Sequence, residues 1–155
     1  MRAAWLLVAV PVLSGCGGSP HTTTTTASDR LTHQQFVAKG NLVCLHSDRR
    51  IYRLGALSRD PAKWTQAAAA AELATAQMAK LRPPLADRAG FARLLELARR
   101  LTRGIDGVHA ALMRHDYATA RATQARAAGI DAAIHAAARS VGLTFCQQAL
   151  TNWPA

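Results

Sequence analysis

Three cysteines, six histidines and nine carboxylates are the side chains of this 155-residue sequence best suited to chemistry, and their spacing decides which chemistry is open to them. A metal centre in a helical scaffold needs inward carboxylates and histidines, commonly as Glu-x-x-His on two helices. The sequence has no such pair. His46, His109, His115 and His135 are scattered, and His109 adjoins the apolar position Val108, which suits surface or half-buried structural roles. A haem pocket needs only one axial His or Tyr, such as Tyr117, so that requirement is nearly unspecific. A nucleophile needs a placed base, and no local signature such as Gly-x-Ser-x-Gly is present. The acidic residues are separated, each beside a helix start or among arginines, which gives paired-carboxylate hydrolysis no support. Neither Gly-x-Gly-x-x-Gly nor a phosphate-binding loop occurs. The expectation is a protein that is not an enzyme, with no metal and no cofactor.

The first cysteine carries the most specific signal. Arg2 is followed by an apolar run over residues 3–13 and then by Ser14, Gly15 and Cys16. That run is too short to remain as a membrane-spanning helix and reads as a signal peptide. Small residues before a cysteine resemble the lipobox of bacterial lipoproteins. The resemblance implies cleavage before Cys16, a diacylglyceryl group on its thiol and, in some hosts, a third chain on the new amine. An ordinary secretory signal with an incidental Cys16 is the alternative. Residues 17–28, GGSPHTTTTTAS, have no apolar face to bury and read as a flexible tether, able to reach ~40 Å when extended. The organisation expected is a signal peptide over residues 1–15, a lipidated Cys16 with linker over 16–30, and a domain over 31–155.

The elements that would carry the remaining residues are helices. Hydrophobic content is 50% while aromatics are 5%, and long stretches are alanine-rich, a composition suited to close helix packing rather than sheets. Thr32 with Gln35 forms a capping box for a first helix, along which Phe36, Gly40, Val43, Ile51 and Leu54 recur at helical spacing. Asp60 and Pro61 restart the chain as a second helix carrying Trp64, Ala67, Ala71, Ala74, Met78 and Leu81, which Pro83 and Pro84 should end. The third helix has the cleanest stripe: Phe91, Leu94, Ala98, Leu101, Ile105, Val108 and Leu112. Asp116 caps a fourth helix through Tyr117, Ala120, Ala127, Ile134 and Val141, stopped by Gly142. Short connections predict an all-α, up-and-down four-helix bundle, with residues 143–155 as a short tail.

Cys44 falls in the first helix and Cys146 just past the fourth. In an oxidising compartment such an even pair can become a disulfide; two buried thiols are the alternative. Residues 36–44, FVAKGNLVC, and 141–146, VGLTFC, with Pro83 and Pro84 between the middle helices, resemble small uncharacterised exported lipoproteins of high-GC Gram-positive bacteria. The resemblance covers residues 32–146. It implies a helical fold and a Cys44–Cys146 bond, and it brings no known activity. The longer tail after Cys146, including Trp153, departs from that pattern.

Basic residues outnumber acidic ones 19 to 9, a net charge of +10, with lysine only at Lys39, Lys63 and Lys80. Such charge favours polyanions, and export makes anionic lipid, wall polymer or another envelope protein better partners than nucleic acid, for which stacking aromatics are also scarce. Six arginines lie between Arg82 and Arg103 against Asp87 and Glu96. Arg93, Arg100 and Arg103 are the candidate anionic-surface contacts, an ordinary solvated face being the alternative. The function expected is a membrane-anchored, non-catalytic binding or interaction module on the extracytoplasmic face of the cell membrane. The rival is a carrier of haem or an apolar molecule, for which a pocket of a few hundred Å3 lined by Trp64, Met78 and Phe91 would speak.

Overall fold

The structure, a computed structural model, describes residues 30–57 and 59–147. The signal peptide, Cys16, the threonine run and Trp153 lie outside the described residues. Four α-helices follow one another as α1 (His33–Arg53), α2 (Pro61–Ala79), α3 (Arg88–Met113) and α4 (Tyr117–Ser140), with 3-10 turns at Leu85–Asp87 and Phe145–Gln147. No strand is present among the described residues.

Three helix starts follow from their caps. The Thr32 hydroxyl accepts from the Gln35 amide and the Gln35 side chain accepts from the Thr32 amide, so two orphan donors of α1 are satisfied reciprocally. Asp60 accepts from the Ala62 amide at 2.9 Å ahead of Pro61. Asp116 accepts from the Thr119 amide at 3.0 Å at the start of α4. Helix α2 stops at Ala79, four residues before the first proline. Lys80 and Leu81 tighten the last turn, and the Arg82 carbonyl turns away to accept from the Leu31 amide at 2.9 Å. The residue before a proline is held out of helical geometry, and here that bias extends the chain early enough to tie the end of α2 to the start of α1. His33 and Asp87, 2.7 Å apart, bring the start of α1 to the start of α3.

Helix α3 is the central element. Its buried residues are Phe91, Leu94, Leu97, Leu101, Ile105, Val108, Ala111 and Leu112. Ala98, expected in the stripe, is half-buried, while Leu97 and Ala111 join the core. The buried stripe is wide because α3 is covered on one side by α2 and on the other by α4. Against α4 the fit is between small residues. A Cβ placed on Gly104 would come within 3.3 Å of the Ala127 Cβ, and one on Gly107 within 3.1 Å of Thr123 Cγ2. The α3–α4 pair is antiparallel, and its backbones approach closely because glycine faces alanine.

Two expectations for the last helix need correction. Tyr117 is exposed rather than in the core: it begins α4 at the end of the bundle, where the Arg59 guanidinium sits 5.0 Å from its ring centre. Residues 143–147, expected to open a short tail, instead pack onto the bundle. Gly142 adopts φ +79°, a left-handed conformation open to glycine, and the Gly142 and Leu143 amides bond back to Arg139 and Ala138. That turn drives Leu143 into the core with no exposed surface, against the bare backbone of Gly40 on α1. The Phe145 amide then donates to the Asn41 side chain at 3.0 Å, and Cys146 is bonded to Cys44. The sequence order of the helices is also their packing order, so the architecture is the up-and-down four-helix bundle. Helix α1 packs on α2 and the last turn, and its seam with α4 stays comparatively open.

Candidate functional site

The open seam leads to a cavity of about 100 Å3 in the middle of the bundle. Its walls come from all four helices and are mostly aliphatic, with Val43, Ile51, Met78, Leu94, Ile105 and Ile134 among them. Of the three residues expected to line a pocket, Met78 alone does so. Trp64 is packed away with 1% of its surface exposed, and Phe91 meets Phe36 edge-on at 5.0 Å between ring centres. The volume is below the few hundred Å3 that a drug-sized ligand fills, and far below what haem needs.

Two acidic residues are among the lining. Asp48 on α1 and Asp131 on α4 both line it, beside Ser47. Asp131 is 7% exposed, and one carboxylate oxygen of each residue is shut off from solvent without a hydrogen-bond partner. Burial, reinforced by the neighbouring Asp131 charge, pushes the Asp48 carboxyl up to about 6. Burial also raises Asp131, opposed by His135, whose Nε2 lies 3.6 Å from its Oδ2, an ion-pair distance too long for a hydrogen bond. Nothing in the spacing of the acidic residues foretells this pair, because it forms between the first and last helices. A local signal did exist. Asp131 continues the apolar stripe between Ala127 and Ile134 at steps of four and three, and Asp48 stands between Cys44 and Ile51 in the same way. A carboxylate on a buried stripe marks a site or a cost.

That cost has a pH signature. A folded-state pKa above the ordinary value of 3.8 means that the folded chain holds the proton more tightly than the unfolded one. Stability should therefore fall as pH rises through the window from about 4 to 6, then level off. Asp48→Asn is expected to stabilise the protein above pH 6 by about 1–2 kcal/mol, allowing for solvent screening of a half-buried group, and to change little below pH 4. Urea unfolding at pH 4 and pH 7.5 checks this; equal effects at both pH values would refute it.

The second feature is on the outer surface. Arg93, Arg100 and Arg103 are all exposed on α3. Arg103 reaches Glu96 at 3.4 Å, whereas Arg93 and Arg100 have no carboxylate partner among the described residues. Arg100 also borders a shallow depression of about 410 Å3 along the α3–α4 seam, floored by Gly104 and Ala127 and edged by Leu97 and Ile130. Arg126 of α4 stands on the same depression, its guanidinium donating to Thr123 at 2.9 Å. Two cations thus flank an apolar strip, and the sequence alone did not single out Arg126. Among the described residues, no helix is long and apolar enough to cross a membrane and no group of three His, Cys, Asp or Glu side chains could hold a metal ion.

Fold and sites together define a disulfide-closed, all-α four-helix bundle with a small cavity that includes two aspartates in its lining and an arginine-bearing seam outside. No protein-family model, curated protein or solved structure matches the chain.

Proposed function

We propose that the protein is a lipid-anchored module of the cell envelope that binds rather than catalyses, and that the α3 face carrying Arg93 and Arg100 meets an anionic surface, membrane lipid or wall polymer. The observation that carries this reading is the exposed arginine pair, without carboxylate partners among the described residues, extended by Arg126 across an apolar depression. Guanidinium groups suit phosphate and carboxylate because their planar fork donates in pairs. The lipobox-like residues before Cys16 support an extracytoplasmic, membrane-held address, and the resemblance over residues 32–146 supports kinship with exported lipoproteins of high-GC Gram-positive bacteria. A domain already tethered near a bilayer needs little added affinity. Each arginine close to an anionic surface contributes on the order of 1 kcal/mol, decaying within a Debye length.

The test is vesicle binding by the unlipidated chain, with anionic and neutral bilayers compared across a salt series. Anionic vesicles are expected to bind and salt to release the protein. Arg93→Gln and Arg100→Gln should each weaken binding roughly fivefold, corresponding to ~1 kcal/mol. Arg103→Gln should do less because Glu96 already neutralises it in part. Equal binding to both vesicle types, or insensitivity to salt, would leave the charge without this role.

A further inference from the structure

We propose that the outward face of α1 is a second membrane-contact surface, which lies flat on an anionic bilayer and buries Leu42, Tyr52 and Phe145 among the lipid headgroups. It rests on the membrane-held address proposed above, and it uses other residues than the arginine face of α3. Three features of one helix carry it: large apolar side chains left in water, cations without carboxylate partners, and a position directly after the tether.

The apolar side chains come first. Leu42 is 55% exposed and Tyr52 75%, on a helix whose other side buries Phe36 and Gly40. At 3.6 residues per turn, Leu42, half-buried Leu45 and Tyr52 fall within an arc of roughly 80°. Phe145, 42% exposed, is fixed beside that arc because its amide donates to the side chain of Asn41, the neighbour of Leu42. A single exposed leucine calls for no explanation, whereas several large apolar residues along the outside of one helix do. Tyr52 follows Leu42 by ten residues, a rise of about 15 Å, so a surface that covers both must run along the helix axis. The charge decides what that surface is. Lys39, Arg49, Arg50 and Arg53 are exposed on α1 and form no ion pair among the described residues. The only carboxylate of the helix, Asp48, lines the interior cavity instead.

Helix chemistry accounts for part of that charge only. Arg50 and Arg53 stand in the last turn, where cations oppose the helix dipole, but Lys39 and Arg49 lie before it. A face with four cations and no outward carboxylate repels a second copy of itself and suits an anionic partner. A soluble polyanion would answer the cations and leave the apolar residues in water. An anionic bilayer answers both, since its headgroups take the guanidinium and ammonium groups while the boundary with the acyl chains takes leucine and the aromatic rings. Position agrees with this. On the proposed anchor, α1 is the first helix after Cys16, and residues 17–32 span at most about 55 Å when extended, which keeps the helix close to the bilayer.

Fluorescence of the unlipidated chain from Gly17 onward, with Tyr52→Trp as reporter, tests the face on phosphatidylglycerol and phosphatidylcholine vesicles, with and without lipids brominated near the headgroup. Sodium polyglutamate is the soluble polyanion, and the unsubstituted chain supplies the tryptophan background. Ala89→Trp, exposed one turn before Arg93 on α3, is the reference reporter. The Tyr52→Trp emission is expected to shift to shorter wavelength and to be quenched by brominated lipid on the anionic vesicles alone. Leu42→Ser combined with Tyr52→Ser should weaken binding to those vesicles about tenfold. Arg49→Gln and Arg53→Gln should each weaken it roughly fivefold at low salt, with circular dichroism showing that every variant folds. A reporter at position 52 that stays unshifted and unquenched on vesicles that bind the chain, or undiminished binding of the Leu42 and Tyr52 variant, would overturn the proposal. Quenching at position 89 with none at position 52 would do so while leaving the α3 reading in place; quenching at position 52 with no effect of Arg93→Gln or Arg100→Gln would support this face and remove that reading. Equal quenching on phosphatidylcholine would show apolar contact without the charge, and a shift that grows with protein concentration in the absence of vesicles would show a second copy on the face. Polyglutamate binding while vesicles leave the reporter unshifted would show a polymer face; each of these three results rejects the assignment.

Discussion

Replacing Cys44 and Cys146 together by alanine is expected to lower the unfolding free energy by about 4–5 kcal/mol, because the bond closes a loop of 102 residues and removes that freedom from the unfolded chain. For a domain of this size, whose total stability is ordinarily ~5–15 kcal/mol, this is roughly a quarter or more of what holds it folded. The native state loses as well. The bond joins α1, at one end of the packing order, to the segment that follows α4 at the other. It keeps Leu143 seated on Gly40 and the Phe145 amide on Asn41, the contacts that hold the α1 edge of the bundle to its α4 edge. Chemical denaturation of the oxidised protein and the double variant measures the difference. The variant should unfold at a lower midpoint with a steeper denaturant dependence, since its unfolded state exposes more surface. A difference below about 1 kcal/mol would show that packing alone closes the seam.

What could be read from the sequence divides along a physical line. Caps were legible because they are local chemistry: Thr32 with Gln35, Asp60 with Pro61, and Asp116 all act within three residues of themselves. The α3 stripe was legible because a period of 3.6 is visible without knowing any partner. Its width was not, since Leu97 and Ala111 are buried by neighbours on both flanks. The burial of 143–146 escaped for a related reason. Gly142 announces the end of α4, yet only the position of Gly40 on a helix a hundred residues earlier makes room for Leu143. The acidic pair is the sharpest case. Asp48 and Asp131 each sit on their own helix's apolar stripe, and each alone reads as an interruption. Their meeting depends on how α1 and α4 are rotated about their axes, which no local pattern records.

The cavity and the arginine-bearing depression lie on different seams of the bundle. Glycine and alanine at the α3–α4 contact draw those helices together and leave a shallow outer strip between Arg100 and Arg126. At the neighbouring seam α1 stands away from α4, and the cavity reached there is bounded mainly by aliphatic side chains, with Asp48 and Asp131 among its lining. A surface contact through the first would leave the second accessible from its seam.

The largest effect on the protein's whereabouts is expected at Cys16, which lies outside the described residues. Acylation of its thiol and new amine would attach two or three chains, and at ~0.8 kcal/mol per buried methylene two chains already make release from a bilayer negligible, whereas one chain is marginal. No described helix can take over that role by crossing the membrane. On the proposed reading, anchoring would hinge on the Cys16 side chain. In Cys16→Ala the acyl acceptor is gone and the cleavage that depends on it fails, so the protein should be either uncut or shed. Metabolic labelling with a fatty-acid analogue, with intact mass and membrane fractionation in parallel, measures this directly. The unaltered protein should carry label, begin at Cys16 and remain with the membrane at high salt; the variant should carry no label. Because charge-mediated contact through Arg93 and Arg100 is screened by salt and acyl insertion is not, the high-salt wash separates the two contributions. A Cys16→Ala protein that is still processed before position 16 and still membrane-bound after that wash would reject the lipid anchor, and would leave the arginine face to be judged on vesicle binding alone.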